Sequence, residues 1–479
     1  MTERHIMTRK KRIKSLIWVV PVILVLAGAS VIFFQSRPGE TKPDVVFVLI
    51  DTLRADHTGI HGYKRETTPN LKRIAEKGLK LENFFVNAPW TKPSVASIIS
   101  GLYPTCHGSR VGQFEDIENF VVGTAKVEVL NSKINTMAEI LKEDGFETHA
   151  YITNYHLTPR FGYHQGYDHY HFDAGGAAKN RVCQSDRDAI INAMKILKNR
   201  GARKKPAFVY CHLMSVHEYR YSRDFEKFKV DASKQLTPIP AKAYQKEAVE
   251  DFNSIEEAVC SYDNSIYYVD SLVGELFDFV TANAPGTILL VTSDHGEEFY
   301  EHGGFEHCRT LYNEIIKVPC VFYGPGVPAG VFSGLSDSID LLPTLMKNLD
   351  IKIGKELKGQ ILFRGGRISP GGDKEIFAEQ HHRELYKRFA LIRGNKKMIL
   401  NQHKLFDEKS IEFYNNGLLI EKENISSSAD REMIRHFERK IKQYKVDNET
   451  YFRKRVGHPT YKDLTPEDIE HLRSLGYIK

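Results

Sequence analysis

Short apolar runs that alternate with amphipathic segments constrain the fold of this chain most strongly. Five runs rich in Val, Ile, Phe and Tyr have the length of buried strands: Val45–Ile50, Glu147–Thr153, Ala207–Met214, Thr287–Val291 and Val318–Tyr323. Between them, apolar residues recur with a helical period at Asn70–Lys77, Thr136–Lys142, Asp186–Lys198 and Ser254–Val280. Strands that alternate with helices predict an α/β fold, with a mixed, mostly parallel sheet sandwiched by helices.

The pattern changes from about Glu375, where a small C-terminal α+β subdomain is expected. Its candidate strands are Phe377–Glu379, Phe389–Arg393, Lys397–Asn401 and Lys404–Asp407, followed by a helix over about 429–444. The segment Ile469–Leu475, which Gly476 ends, predicts a terminal helix. We therefore expect a main domain over residues 43–370 and a C-terminal subdomain over 375–479. The polar stretch 218–248 is interpreted as an insertion.

The N-terminus combines a basic cluster with an uncharged apolar run. Five Lys and Arg residues lie between Arg9 and Lys14, and no charged residue occurs from Leu16 to Phe34. Such a run is long enough to span a bilayer as a helix, and the basic flank is expected to stay in the cytoplasm. The sequence therefore predicts a cytoplasmic tail at 1–14, a single transmembrane helix at 15–35 and an extracytoplasmic remainder, periplasmic or extracellular. The alternative is a signal peptide cleaved near Ala27-Gly28-Ala29.

Charge and cysteine usage exclude two classes of protein. The formal charge of +6, from 67 basic and 61 acidic residues, is spread along the chain. No cluster of Lys and Arg with interleaved aromatic residues follows the first residues, so no nucleic-acid partner is expected. The six cysteines form no CxxC pair, which argues against a thiolate metal site and leaves one or two disulfides open.

Polar residues follow several of the predicted strands. Asp51 follows the first strand, His217 lies shortly after the third, and Asp294-His295 follows the fourth. In such a sheet, functional residues collect at the carboxyl ends of the strands. Carboxylate and imidazole donors suit a divalent metal, with Zn, Mn, Ca and Mg all open. For Asp51 the alternatives are a helix cap or an ion pair with Arg54.

A short helix is predicted directly after Thr91. Pro93 suits a first helical turn, and Gly101 suits the helix end. The helix N-terminus would carry Thr91 and Ser94, where free N–H groups favour an anion. Thr91 is either a simple helix cap or, with its hydroxyl on a divalent cation, a usable nucleophile.

Several histidines fall in or beside the same loops, namely His156, His212, His217, His302 and His307. We expect His156 and His302 to contact an anionic substrate. His217 and His307 are the candidates for protonating a leaving group.

In this order the motifs resemble the sulfatase family of the alkaline phosphatase superfamily, over nearly all of the chain after the apolar run. The resemblance rests on Asp51-Thr52-Leu53-Arg54-Ala55-Asp56-His57 with Thr68-Pro69-Asn70-Leu71, on Pro93 to Pro104 with His107-Gly108, on Ser293-Asp294-His295-Gly296-Glu297 with Glu301-His302-Gly303, and on Leu472-Arg473-Ser474-Leu475-Gly476-Tyr477. It implies an alkaline-phosphatase-like fold, and the last motif is similar to the tail of anchored bacterial members.

The chain departs from the family pattern at four positions. Ordinary sulfatases carry a Cys or Ser, oxidised to formylglycine, where this chain has Thr91; threonine cannot give that aldehyde because its Cβ bears a methyl group. Val95 stands where the family usually has Arg, Thr52 stands where it usually has a second Asp, and Asn154 stands where it has Lys.

Threonine at the nucleophile position resembles the family's phosphoethanolamine transferases and lipoteichoic acid synthases. Those enzymes use a single Zn or Mn ion. By that resemblance Asp51, Thr91, Asp294 and His295 would form the metal site.

These inferences predict a membrane-anchored, metal-dependent enzyme that hydrolyses or transfers a sulfate or phosphate-type ester with Thr91 as nucleophile. A threonine alkoxide favours phosphorus, whereas overall similarity favours sulfate. The substrate class stays open between a glycan, a lipid headgroup and a small molecule. The alternative is a catalytically inactive binding or scaffold protein of the cell envelope; Val95 and Asn154 motivate it, and the retained Asp51, Asp294 and His295 argue against it.

Overall fold

The apolar runs become strands of one large sheet. A computed structural model describes residues 42–110, 126–173, 181–231, 233, 235–240, 251–354, 356–382, 386–403, 408–463 and 465–466. Along the chain the strands are β1 (Asp44–Ile50), β2 (Leu79–Phe85), β3 (Lys126–Glu128), β4 (Glu147–Ile152), β5 (His169–Phe172), β6 (Ala207–Leu213), β7 (Thr287–Ser293), β8 (Glu298–Phe299), β9 (Phe305–Glu306), β10 (Cys320–Tyr323), β11 (Gly330–Asp337), β12 (Phe363–Arg364), β13 (Arg367–Ile368), β14 (Glu375–His382), β15 (Tyr386–Arg393), β16 (Lys396–His403), β17 (Glu408–Tyr414) and β18 (Tyr461–Asp463).

The helices match the helical periods of the sequence in place and type. They are α1 (Pro69–Lys77), α2 (Thr91–Ser100), α3 (Pro104–His107), α4 (Met137–Glu143), α5 (Val182–Lys198), α6 (Ile255–Asn283), α7 (Asn313–Ile316), α8 (Leu341–Asn348) and α9 (Arg431–Arg455), with short 3₁₀ turns between some of them. Thr136 and Glu139 form a capping box at the start of α4, so the predicted start of that helix is its cap.

The large sheet has eight strands in the order β11-β2-β10-β7-β1-β6-β4-β5. Only β10 runs antiparallel to its neighbours, which confirms a mixed, mostly parallel sheet. β1 lies between β6 and β7 and is buried on both faces. Val45, Phe47 and Leu49 belong to one apolar core, and Val46, Val48 and Ile50 belong to the other. Burial on both faces explains why this strand is continuously apolar instead of alternating.

The C-terminal part contains the expected small antiparallel sheet. Its order is β14-β15-β16-β17, and α9 extends to Arg455, eleven residues past the predicted end near 444. The predicted strand at 404–407 lies outside the described residues, and β17 follows it directly. The predicted boundary between 370 and 375 falls between β13 and β14.

Other predicted segments lie wholly or partly outside the described residues. These are the basic tail at 1–14, the apolar span at 15–35, the terminal helix at 469–475 and part of the insertion at 218–248. Within the part of the chain that the structure covers, no helix combines the length and the apolar character that a membrane crossing requires. No disulfide links the described cysteines, and Cys106, Cys211, Cys260 and Cys320 are buried thiols.

Candidate active site

Two aspartates meet at the carboxyl ends of adjacent strands. Ile50 of β1 lies opposite Ser293 of β7, so the next residues, Asp51 and Asp294, are neighbours. Both side chains are fully buried. The Nε2 atom of His295 lies 3.4 Å from Asp51 Oδ1 and 3.5 Å from Asp294 Oδ2. The three side chains therefore form one compact cluster, whose candidate ligand atoms all lie within 4.8 Å of one another.

Thr91 joins this cluster from the first turn of α2. Its Oγ1 lies 3.4 Å from Asp51 Oδ2 and 3.3 Å from His295 Nε2. The residue before it, Trp90, is the N-cap and makes no side-chain capping bond. The Thr91 hydroxyl is thus directed at the cluster, as the nucleophile hypothesis requires. As predicted, Gly101 ends the helix, in a left-handed conformation with φ of 66°.

Backbone contacts fix the loop that carries Asp294 and His295. Ser94 Oγ in the first turn of α2 donates a hydrogen bond to the carbonyl of Asp294 at 2.5 Å. Gly296 N donates to the carbonyl of Ile315 at 2.7 Å. A Cβ on Gly296 would lie 1.9 Å from the carbonyl oxygen of Glu314, so only glycine fits this close approach.

Arg54 supports the same loop. Its guanidinium donates to the carbonyl of Glu297 at 2.8 Å and pairs with Glu301 at 2.7 Å. It also forms two hydrogen bonds with Asp56. Arg54 therefore forms no ion pair with Asp51, which was one of the alternatives for Asp51 from the sequence.

The cluster has features of a cation site. Asp51 Oδ1 and Asp294 Oδ2 are buried and have no hydrogen-bond partner. Burial opposes the ionisation of Asp51, but its hydrogen bond with His212 and the neighbouring His217 hold the pKa of Asp51 well below its usual range. Burial and the charge of Asp51 raise the pKa of Asp294 well above its usual range. Without a cation, the protein therefore keeps Asp51 ionised and Asp294 protonated, so that the two carboxyl groups together carry one negative charge.

The donor set fits a divalent metal. Two carboxylates, one imidazole and one hydroxyl are ligand types that Zn²⁺ and Mn²⁺ accept. Burial, reinforced by His307, lowers the pKa of His295 well below its usual range, so its ring is neutral and retains a lone pair. Asp51, Thr91, Asp294 and His295 are therefore the side chains that would hold the ion.

Asn154 and His212 also reach the cluster, although sequence reasoning gave neither a role there. Asn154 Nδ2 donates to Asp51 Oδ2 at 3.0 Å and to Thr91 Oγ1 at 3.4 Å. His212 Nε2 lies 2.9 Å from Asp51 Oδ2. Asn154 follows the end of β4, so the strand-end rule could have found it.

His217 and His307 lie beside the cluster, and their pKa values are shifted in opposite directions. The ring of His307 lies 4.3 Å from that of His295 and 5.3 Å from that of His217. Burial lowers the pKa of His307 to about 3. Burial also disfavours charge on His217, but its hydrogen bond with Glu218 and the charge of Asp51 prevail and raise its pKa to about 10.

Glu297 is a further acid of this site that sequence reasoning did not select. Its Oε1 lies 3.3 Å from His307 Nδ1. Burial raises the pKa of Glu297 to about 8, although the positive charge of His217 opposes the shift.

His156 is buried near the N-terminus of α2. Its ring packs edge-on against Trp90 at 5.6 Å. Burial and the neighbouring Lys92 lower the pKa of His156 to about 3. Burial lowers the pKa of Lys92 itself to about 7.

His302 is not part of the cluster. It pairs with Glu314 at 2.5 Å and with the carbonyl of Glu421 at 3.0 Å. Its ring also stacks on Tyr312 at 3.6 Å. The side chain thus joins the loop to the C-terminal part of the chain, and it lines a cavity together with Arg309 and Arg388. Its contact with a substrate stays a prediction.

Comparison with known proteins gives matches over the region that contains the site. A family model described as Sulfatase matches residues 43–351. An arylsulfatase of Clostridium perfringens is 24% identical over 388 residues, which cover 66% of this chain and 77% of that protein. An ulvan-active sulfatase of Formosa agariphila is 23% identical over 379 residues, covering 73% and 70%. The solved structure of a phosphonate monoester hydrolase from Silicibacter pomeroyi has the same fold, with a TM-score of 0.67 at 15% identity over 88% of this chain and 99% of that one.

We expect Asp294→Asn to lose one equivalent of divalent metal relative to the wild type, because it removes one of the two adjacent carboxylate charges without changing the side-chain volume. Elemental analysis of the full-length chain, dialysed after loading with Mn²⁺ or Zn²⁺, measures this. Asp270→Asn is the matched control: Asp270 is also a buried aspartate, but it accepts hydrogen bonds from the backbone of Asn70 and Leu71 at the start of α1. Equal metal content in the two variants would contradict the assignment.

Proposed function

The chain belongs to the sulfatase family of the alkaline phosphatase superfamily and is an enzyme of that family, and we propose that it cleaves a sulfate or phosphate-type ester with Thr91 as the nucleophile. The contact of Thr91 Oγ1 with both Asp51 and His295 supports this proposal most directly. The relatives named above support the ester class, since two are sulfatases and one is a phosphonate monoester hydrolase.

In the first half-reaction Thr91 Oγ forms a bond to the sulfur or phosphorus atom while the bond to the leaving oxygen breaks. A bound divalent cation would make the hydroxyl more acidic and offset the negative charge that develops. The acceptor for the hydroxyl proton is Asp51 Oδ2, 3.4 Å from Thr91 Oγ1, because the lone pair of His295 Nε2 would be engaged by the cation. Asn154 donates to both Asp51 Oδ2 and Thr91 Oγ1, and therefore orients them.

In the second half-reaction a water molecule or an alcohol attacks the same sulfur or phosphorus atom. The bond to Thr91 Oγ breaks, and Thr91 Oγ takes back the proton held by Asp51 Oδ2. The attacking water or alcohol gives its proton to His217, which protonated the leaving oxygen. Water gives hydrolysis, whereas an alcohol gives transfer of the group.

His217 is the better candidate for protonating the leaving oxygen. A general acid must hold its proton at the working pH. With its pKa raised to about 10, His217 is protonated at neutral pH, whereas the pKa of about 3 leaves His307 neutral. We assign the proton donation to His217. His307, which contacts Glu297, is assigned to orienting the neighbouring groups.

The balance of charge near Thr91 favours a substrate group with one negative charge, because the two positive charges of a bound divalent cation would be offset by Asp51 and Asp294. Of His156, His217, His295 and His307, only His217 has a raised pKa, and its charge is paired with Glu218 at 2.9 Å. The second negative charge of a dianionic group would lack a compensating positive charge in such a buried site. Sulfate monoesters, phosphodiesters and phosphonate monoesters are monoanionic, and we propose that the substrate is among them.

We also propose, from the sequence alone, that residues 15–35 anchor the enzyme in the cell membrane and that the domain after residue 43 is extracytoplasmic. We expect the full-length chain to fractionate with membranes, since the run is long enough to span a bilayer. A variant without residues 1–42 should be released into the soluble fraction. Persistence of that variant in the membrane fraction would contradict the anchor.

Thr91→Ala is expected to reduce turnover by roughly a thousandfold or more, because it removes the atom that bonds to sulfur or phosphorus. Thr91→Ser keeps the hydroxyl and should keep part of the activity, whereas Thr91→Val keeps the volume without the hydroxyl and should resemble Thr91→Ala. Rates on nitrophenyl sulfate, a bis-nitrophenyl phosphodiester, a phenylphosphonate ester and nitrophenyl phosphate measure the effect and test the preference for monoanions. Full activity of Thr91→Ala on the best substrate would refute the nucleophile.

His217→Ala is expected to slow esters with basic leaving groups far more than nitrophenyl esters, because only a basic alkoxide needs protonation as it departs. The sign of the pH effect follows from the raised pKa: His217 carries its proton below about pH 10 and loses it above. In the wild type, cleavage of poor leaving groups should therefore persist into mildly alkaline solution and then fall. A series of aryl esters of graded leaving-group pKa measures the slope, with the exposed His171 on β5 changed to Ala as a control. Identical slopes in wild type and His217→Ala would exclude the role.

A further inference from the structure

A second group of metal-binding side chains lies at the edge of the large sheet. Glu147 and His149 are two residues apart on β4, and therefore share one face of the strand. His169 on the edge strand β5 lies directly opposite His149 in the parallel pairing. Strand register alone thus brings two imidazoles and one carboxylate together.

The distances within this group match those between metal ligands. His149 Nε2 lies 3.2 Å from Glu147 Oε1, and His169 Nε2 lies 3.5 Å from the same oxygen. Ligand atoms at about 2.0 to 2.1 Å from a tetrahedral Zn²⁺ are about 3.3 to 3.4 Å apart. All three candidate ligand atoms lie within 4.8 Å of one another.

The buried nitrogen of His149 is a second, independent observation. His149 is 8% exposed, and its solvent-inaccessible Nε2 has Glu147 Oε1 3.2 Å away but makes no hydrogen bond of regular geometry. Buried polar atoms are nearly always satisfied by protein, water or an ion. The nitrogen that lacks a regular hydrogen bond is the one that lies next to Glu147.

We propose that Glu147, His149 and His169 bind a Zn²⁺ ion, with water completing its coordination. Two imidazoles and a carboxylate are a common donor set for zinc. The ion links β4 to the edge strand β5, and so stabilises the end of the sheet.

Binding requires one local movement. The rings of His149 and His169 are stacked, 4.6 Å apart at an angle of 17°. A metal must lie near the plane of each ring that ligates it, so one ring has to turn. The side chain of His169 is 51% exposed and is able to do so without disturbing the core.

This site is separate from the cluster around Thr91. Glu147 and His149 lie in the first half of β4, whereas Asn154, which contacts Thr91, follows the end of that strand. At about 3.3 Å per residue, the five residues from His149 to Asn154 span roughly 16 Å. The positive charge of Arg203, which acts on His149, is offset by an ion pair with Asp44 at 3.0 Å. The inference therefore does not depend on the proposed function.

Titration of Zn²⁺ into the full-length Asp294→Asn variant tests the site without the first cluster. We expect one equivalent to bind by calorimetry, and His169→Ala in that background to weaken binding at least tenfold. His171→Ala is the matched control, because His171 lies two residues along β5, is exposed and stacks on Tyr151 at 4.9 Å, outside the group.

Co²⁺ provides a spectroscopic readout in the same variants. Four-coordinate Co²⁺ with two imidazole ligands should give visible absorption bands in the Asp294→Asn protein, and these bands should be lost in His169→Ala and kept in His171→Ala. His149→Ala should lose them too, but His149 is buried, so the exposed His169 gives the decisive variant. Failure of Asp294→Asn to bind Zn²⁺, or equal binding by the His169 and His171 variants, would overturn the proposal.

Discussion

Asp51 and Asp294 lie side by side in the protein interior, and each has a carboxylate oxygen that no donor reaches. Removing a charged group from water costs several kcal/mol unless partners compensate it. His212 and Asn154 contact Asp51 Oδ2, but no donor reaches Asp51 Oδ1 or Asp294 Oδ2. Tyr262 holds the backbone beside the pair: it donates to the carbonyl of Thr52 at 2.6 Å and accepts from Arg54 N at 3.0 Å. Thr52 adopts a φ of 60°, which costs a β-branched residue about 1 to 3 kcal/mol. Both the unpaired oxygens and the strained turn are explained if this end of the sheet is shaped for a cation.

Sequence reasoning predicted the residues whose place follows from strand ends. Asp51 and Asp294 follow adjacent parallel strands, so their proximity is a consequence of topology. It named His212 only among the histidines in or beside these loops and gave it no role, because His212 lies within β6 and reaches Asp51 through a register that places it beside Leu49. His302 is a predicted site residue that lies outside the cluster. It is five residues from His307 in sequence, but it lies in the turn of the hairpin that β8 and β9 form, directed at Glu314 and Glu421, whereas His307 follows β9.

The small C-terminal sheet supports the loop that carries the site. Lys397 of β16 is fully buried, and its ammonium donates to the carbonyl of Leu311 at 2.6 Å and to Asn313 at 2.8 Å. It also pairs with Glu421 at 2.5 Å. The segment held in this way leads into α7, whose Ile315 carbonyl accepts from Gly296. Breaking a buried ion pair costs about 3 to 5 kcal/mol. The pair between Lys397 and Glu421 therefore links the stability of β16 to that of the loop that carries Asp294.

The residues at the positions that depart from the family pattern carry no charge near Thr91, whose hydroxyl keeps its contacts with Asp51 and His295. Val95 is 1% exposed within the apolar core, and Asn154 contacts the cluster through a neutral amide. Positive charge lies further along the same loop: Arg309, two residues after His307, lines a cavity of about 880 Å³ together with Arg388 and Lys409. Enzymes use binding energy from remote parts of a substrate to lower the barrier at the reacting centre. Loss of two cations beside Thr91, the proposed nucleophile, therefore does not make the protein an inert scaffold. An inert scaffold would also give no reason to retain two buried, under-satisfied carboxylates at the end of a sheet.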